Sequence, residues 1–296
     1  AMKAEMRMAD ALHIRCPAGI SIVALLGARL WARGKPTWVK YAGNWGDYPG
    51  QAPSYCWQRR YLKKNRHHGV VSINGQWPDQ PPHIITLDNP SFTEKDSHQA
   101  SQKTTNKQIT HPVQLLFVGR LSKAKGVDRV LQISQKLRQV NLSFKLTLVG
   151  DGPQRDKFEE DVRKSGLTSF VHFAGWQPMT DLARYYQRAH FLLLPSTSEG
   201  WPKVLSEAMS FGVVPLASAI ASIPQILGET RAGLALPPSD IQAYANAIFQ
   251  YTQDATGWKS MSISGINASS RFTYEEYLAN IRKLFSQYWG IELNHG

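Results

Sequence analysis

Two carboxylates stand eight positions apart in SEGWPKVLSEAMSFG (198–212): Glu199 beside a glycine, and Glu207 beside an apolar run. Pro202 suits the first turn of a helix, where a missing N–H costs nothing, and Gly212 suits the position past its end. A helix is therefore expected over 202–211, with Glu199 in the loop before it. On its wheel Val204, Leu205, Ala208, Met209 and Phe211 form one apolar arc, and Glu207 lies at the edge. One reading gives both acids ordinary work, Glu199 complementing the helix dipole and Glu207 solvating a flank. The other gives them a ligand.

Two cations, Arg120 and Lys125, lie five apart in GRLSKAKG (119–126). Arginine grips phosphate oxygens in a fork and lysine supplies a point charge. Three further loops, GDGPQ (150–154), GWQP (175–178) and STSEGWP (196–202), follow predicted strands in the same way. Ligands of open α/β sheets bind beyond the carboxyl ends of the strands. Glycines there, Gly119, Gly150, Gly175 and Gly200, admit close backbone approach, and helix N-termini offer N–H groups to anions. Four such loops in order make a ligand mouth.

The elements that must position these loops alternate. Strands are expected at 113–119, 144–150, 170–175, 191–194 and 213–218. Helices are expected at 126–139, 153–164, 179–188 and 240–252, and an amphipathic one at 275–289. In the first third, strands read at 11–14, 37–42, 69–73 and 83–87, with helices at 19–33 and 54–68. Alternation of this kind means parallel sheets covered on both faces, an α/β chain. The polar stretch 91–110 has no periodicity and reads as a linker or exposed loop. Expected domains are 1–110, a partial Rossmann-like unit with its linker; 111–272, a donor-binding Rossmann-like unit; and 273–296, a closing helix.

The chain has 296 residues, enough for two cores, with 42% hydrophobic and 19% charged residues, which excludes a disordered polymer. Cys16 and Cys56 form no metal or redox spacing, and no metal site is expected. The apolar run 19–31 is too short to span a bilayer, and no signal peptide is legible, so a cytoplasmic setting is expected. The net charge of +12 points to an anionic partner: phosphate ligand, acidic membrane or nucleic acid. Nothing but charge supports nucleic acid, so none is expected.

GRLSKAKGVDRVL, LTLVGDGP, VHFAGW and SEGWPKVLSEAMSFGVVPLAS resemble the donor-binding half of the retaining glycosyltransferases of family 4. Their fold is GT-B, two Rossmann-like domains, and their signature is a pair of glutamates separated by seven residues. The resemblance is dense over 112–290 and looser before that. It implies that Glu207 holds the ribose of a nucleotide and that Glu199 faces the donor sugar. Backbone at Gly200, Trp201, Pro202, Lys203 and Val204 would bind sugar hydroxyls or phosphate. Arg120 and Lys125 would hold the diphosphate, with Gly119 and Gly150 close by, and the base would rest at Gly175 and Trp176. It further implies front-face transfer from a UDP-, GDP- or ADP-linked sugar with no other cofactor. The segment 273–296 would cross back to the first domain.

The first third departs from that pattern. No strand with a glycine-rich loop precedes ADALHI, so the first domain is expected to be incomplete and the chain alone to transfer little sugar. Ala42-Gly43-Asn44 stands where relatives place a histidine, so that contact is either lost or taken over by Asn44. His13 and Arg15 end an earlier strand, facing either a cleft or structural partners. Trp31, Trp38, Trp45, Trp57 and Trp77 are stacking platforms for a saccharide acceptor or plain core. The helix at 54–68 sets Arg59, Arg60, Lys63, Lys64 and Arg66 on one half of its wheel, which is either a solvated face or a peripheral contact with the anionic inner face of a membrane, suited to a lipid-linked acceptor. An uncovered sheet edge would favour a homodimer through the first domain. Three readings stand: a glycosyltransferase of polysaccharide assembly, a nucleotide-sugar-binding fragment without catalysis, and a sugar-nucleotide epimerase of the same fold.

Overall fold

The computed structural model describes residues 1–48 and 50–293. The chain divides into two units, one made of 1–89 and 275–296 and the other of 90–274.

The first unit opens with α1 (Met2–Met8), β1 (Leu12–Cys16), α2 (Gly19–Trp31), β2 (Thr37–Tyr41), α3 (Pro53–Lys63), β3 (Val70–Ile73) and β4 (Ile84–Thr86). The four strands pair in the order of the chain, all parallel. Crossover connections join each strand to the next, so both faces need cover. Val39, Tyr41, Val71 and Ile73 pack with Leu25 of α2 and Leu62 of α3 on one face. Trp38 and Val70 face the other way, where Leu284 of the closing helix joins them.

Two expectations change here. Arg59, placed on the basic half of the 54–68 helix, is buried and binds Asp47 and Gln51. Carboxylate and amide acceptors in the preceding loop draw the guanidinium inward, which a helical wheel cannot show. The helix itself stops at Lys63, so Lys64 and Arg66 lie beyond it. Of the five tryptophans, Trp38 and Trp45 are core, while Trp57 stands exposed against the ring of Tyr61.

The second unit contains α4 (Glu94–Thr104), β5 (Val113–Val118), α5 (Val127–Gln139), β6 (Phe144–Val149), α6 (Arg155–Lys164), β7 (Val171–Gly175), α7 (Met179–Arg188), β8 (Phe191–Leu194), α8 (Lys203–Ser210), β9 (Val214–Ser218), α9 (Ile223–Thr230), β10 (Leu234–Leu236), α10 (Ile241–Gln253), α11 (Ala255–Ala268) and a short 3-10 turn at Ser269–Phe272; α12 (Tyr274–Trp289) then closes the chain. Its six parallel strands run β10-β9-β8-β5-β6-β7, the doubly wound order in which the chain first builds to one side of β5 and then to the other.

The stretch 91–110, expected as a linker, is largely helix α4 of this unit. A capping box starts it: Asp96 N–H donates to Thr93 Oγ1 (3.1 Å) and Thr93 N–H to Asp96 Oδ2 (3.2 Å). Its buried face is built on the small Ala100 and Thr104, so no apolar period marks it. Just beyond, the half-buried Lys107 donates its ammonium hydrogens to the carbonyls of Tyr186, Ala189 and Phe211 (2.8–3.0 Å), closing the C-terminal ends of α7 and α8 together.

Candidate functional site

In the six-stranded sheet the chain reverses direction between β5 and β8, and a crevice opens at such a switch point. The loops leaving these two strands carry Arg120, Lys125 and Glu199. They are stitched together: Thr197 N–H donates to Ala124 O (3.0 Å), and Arg129 binds Pro195 O (2.6 Å) and Lys123 O (2.9 Å). Gly126 makes this approach feasible. Its φ is +85°, and a Cβ there would stand 2.3 Å from Pro195 O. Only glycine fits both the left-handed backbone and the gap.

That stitching brings Lys125 Nζ to 2.7 Å from Glu199 Oε1, an ion pair across the switch point. The Glu199 side chain is 8% exposed and that of Lys125 35%, so the acid lies inside and the cation at the rim. Arg120 is exposed and, among the described residues, its side chain binds nothing. The glycine loops meet beside it: Gly150 N–H donates to Gly175 O (2.8 Å), and a Cβ on Gly150 would fall 1.9 Å from Gly119 O. Trp176 is 71% exposed.

The helix after Glu199 begins at Lys203, with Pro202 as its N-cap. Pro202 has no N–H, so the amides on offer belong to the residues on either side. The Trp201 side chain leaves the loop for the core, stacking on Phe272 at 5.2 Å. Val204 is half-buried against the core, and the Lys203 ammonium lies over the Tyr274 ring at 5.6 Å.

Glu207 keeps different company. It is no solvated flank residue: its carboxyl accepts from the Tyr186 hydroxyl (2.8 Å) and borders a cavity of about 520 Å³ between α4, α7 and α8. Burial raises its pKa above the usual 4.5, while Tyr186 and Lys203 pull it back. The Tyr186 hydroxyl, buried beside this acid, is raised well above 10.0. A group like this accepts hydrogen bonds from neutral hydroxyls far more readily than it tolerates another anion. Sequence reasoning missed Tyr186, a residue with the look of plain core, and it missed the stitching role of Arg129. The available signal for the latter was the arginine three positions after Gly126, in GVDR directly behind the cationic loop.

Among the described residues, no three of His, Cys, Asp and Glu are placed to share a metal ion, and no helix is long and apolar enough to cross a membrane.

A family model described as Glycosyl transferases group 1 matches residues 99–268. The amylovoran biosynthesis glycosyltransferase AmsK of Erwinia amylovora is 28% identical over 151 residues, 49% of this chain and 37% of that protein. The O-antigen chain mannosyltransferase B of Escherichia coli is 28% identical over 162 residues, 54% of this chain and 42% of that protein. The matched stretch thus spans less than half the length of these curated relatives. Among solved structures, Anabaena HepE in complex with UDP superposes with a TM-score of 0.74 at 18% identity, covering 97% of this chain and 80% of that one. The fold of both units is that of the GT-B glycosyltransferases.

Proposed function

The chain belongs to the group 1 glycosyl transferases, and from that premise we propose that it is a retaining, family 4 type enzyme moving a sugar from a nucleoside diphosphate donor to a saccharide or lipid-linked acceptor in polysaccharide assembly. The observation that carries this is the Lys125–Glu199 pair at the switch point of a doubly wound sheet.

The diphosphate sits against Arg120 and Lys125, the fork and the point charge, and their charge stabilises the leaving group as it departs. Glu199, already neutralised on one oxygen, offers the other to a sugar hydroxyl. The amides of Gly200, Trp201, Lys203 and Val204 take phosphate or sugar oxygens. Glu207 receives the ribose hydroxyls, neutral donors suited to a carboxyl in a half-apolar wall, and the base lies over Gly175 and Trp176. With one glutamate given to ribose, no pair of carboxylates flanks the anomeric carbon as in a retaining hydrolase. The acceptor hydroxyl therefore attacks on the face the diphosphate leaves, and a phosphate oxygen takes its proton. Protein groups position the partners and exclude water.

Because HepE was solved with UDP, a uracil nucleotide is the first choice of donor. The work takes place at the cytoplasmic side of a membrane. Thermal unfolding in the presence of UDP, GDP, ADP and their sugars tests the reading, since a ligand of the folded state raises its melting temperature by mass action. One nucleoside diphosphate should raise it by several degrees. Indifference to all three would contradict the proposal.

A further inference from the structure

In the first unit, Arg15, Lys40 and Ser72 are cross-strand neighbours in one row of the parallel sheet, Arg15 opposite Lys40 and Lys40 opposite Ser72. Two like charges directly across a ladder repel. Lys40 is moreover 2% exposed, and its ammonium donates to neutral acceptors, Leu87 O at 2.6 Å and Asn74 Oδ1 at 3.4 Å. Asn74, itself buried, turns its oxygen to Lys40 and leaves its Nδ2 donor without a partner. All of this lies at the carboxyl ends of β1, β2 and β3, where parallel sheets take ligands. A fork, a buried point charge and an orphaned amide donor lie together there, with the Asp88 carboxylate acting on Lys40.

We propose that this edge binds an oxyanion, a phosphate or a carboxylate, through Arg15, Lys40 and Asn74, and that the acceptor carries that group. Naming the acceptor rests on the transferase reading; the site itself does not. Exposed Arg15 grips the oxyanion in its fork, the Asn74 amide donates to it, and the Lys40 charge acts from beneath. The anion relieves the repulsion between the two cations.

A proton accompanies it. Burial above all, offset in part by Asp88 and reinforced by Arg15, leaves the Lys40 ammonium pulled down to about 7. A bound anion holds the ammonium charged, so binding takes up a proton above that pH. The other titratable groups on this face stay out of the window: His13, stacked on Trp38 at 4.2 Å, is lowered from 6.5 mainly by burial, and Tyr277 is raised above 10.0.

The test is calorimetric titration of inorganic phosphate, glucuronate and glucose into the Arg120→Ala, Lys125→Ala variant, which removes the diphosphate cations. Both anions should still bind, glucose should not, and Arg15→Gln should weaken the anions about ten-fold. Lys40→Met should do the same; Arg15→Gln, an exposed change, keeps the test sound where Lys40→Met fails to fold. Glucuronate stays ionised from about pH 6.5 to 8.5, so its affinity should fall about ten-fold over that range, with proton uptake visible as a buffer-dependent heat. Tighter phosphate assigns a phosphorylated acceptor, and tighter glucuronate an acidic sugar. No anion binding in the double variant, binding indifferent to Arg15 and Lys40, or glucose binding as well as glucuronate would each overturn the proposal. Anion binding in a chain that ignores every nucleotide would sink the transferase reading instead and leave this site standing.

Discussion

Lys125 and Glu199 can each serve a ligand without releasing the other, because an ammonium has three donors and a carboxylate two oxygens. Glu207 is the contrasting acid, held by a tyrosine and half-buried at the edge of a cavity. Its raised pKa makes a prediction with a definite sign. A carboxyl whose folded pKa lies above its unfolded value adds stability that is complete below the unfolded value and lost as pH rises through the folded one. The stability of the wild type relative to Glu207→Gln should therefore decline as pH is raised from about 4 upward, and level off once Glu207 is ionised. Denaturant melts of both proteins across that range measure it, and a difference that grows with pH would contradict the burial argument. The two cations and Glu199 were legible in the sequence because their loops follow strong strands and carry glycines. Tyr186 was not: it lies 21 positions from Glu207, on a different helix, and nothing local marks a tyrosine whose hydroxyl finds a carboxylate.

At the scale of elements, the two loops of the switch point meet over one glycine. Gly126→Ala must place a Cβ 2.3 Å from the Pro195 carbonyl at a φ of +85°, which should cost about 2 kcal/mol or more. The strain should also move Lys125 from Glu199 and weaken nucleotide binding; a variant as stable and as tight as the wild type would contradict the close approach. On the first unit, α2 exposes Ile20, Val23, Leu26 and Leu30 along one side, with Arg29 and Arg33 exposed at its end, while α3 exposes Trp57, Arg60 and Lys63. Apolar and basic groups together suit an anionic lipid surface. The chain should sediment with anionic vesicles at low salt, and Ile20→Gln with Leu30→Gln should lower that. Salt-insensitive indifference to vesicles, with a dimer in scattering measurements, would assign the face to a second copy instead. Helices with apolar periods were readable from the sequence. Those built on small residues were not: α4 buries Ala100 and Thr104, and α11 buries Ser262 and Gly265 beside Trp258. The same blindness hid the inward turn of Arg59, whose partners Asp47 and Gln51 sit in a loop.

For the whole molecule, alternation of strand and helix was enough to expect two parallel sheets, because a buried parallel strand is written as a continuous apolar run such as FLLL. Strand order was out of reach. VQLLFV at β5 reads like any other strand, yet it is the one beside which the chain reverses, and so the one that places Arg120 and Lys125 opposite Glu199. The measurement that bears most directly on this arrangement is calorimetric titration of the nucleoside diphosphate found in the thermal panel into wild type, Lys125→Ala and Glu199→Ala. The cation meets the diphosphate and the acid meets the sugar. Lys125→Ala should therefore weaken the diphosphate about ten-fold or more. Glu199→Ala should leave its affinity within about two-fold while lowering kcat for transfer by about a hundred-fold. Equal nucleotide affinity in all three proteins would contradict the placement of the diphosphate at the switch point.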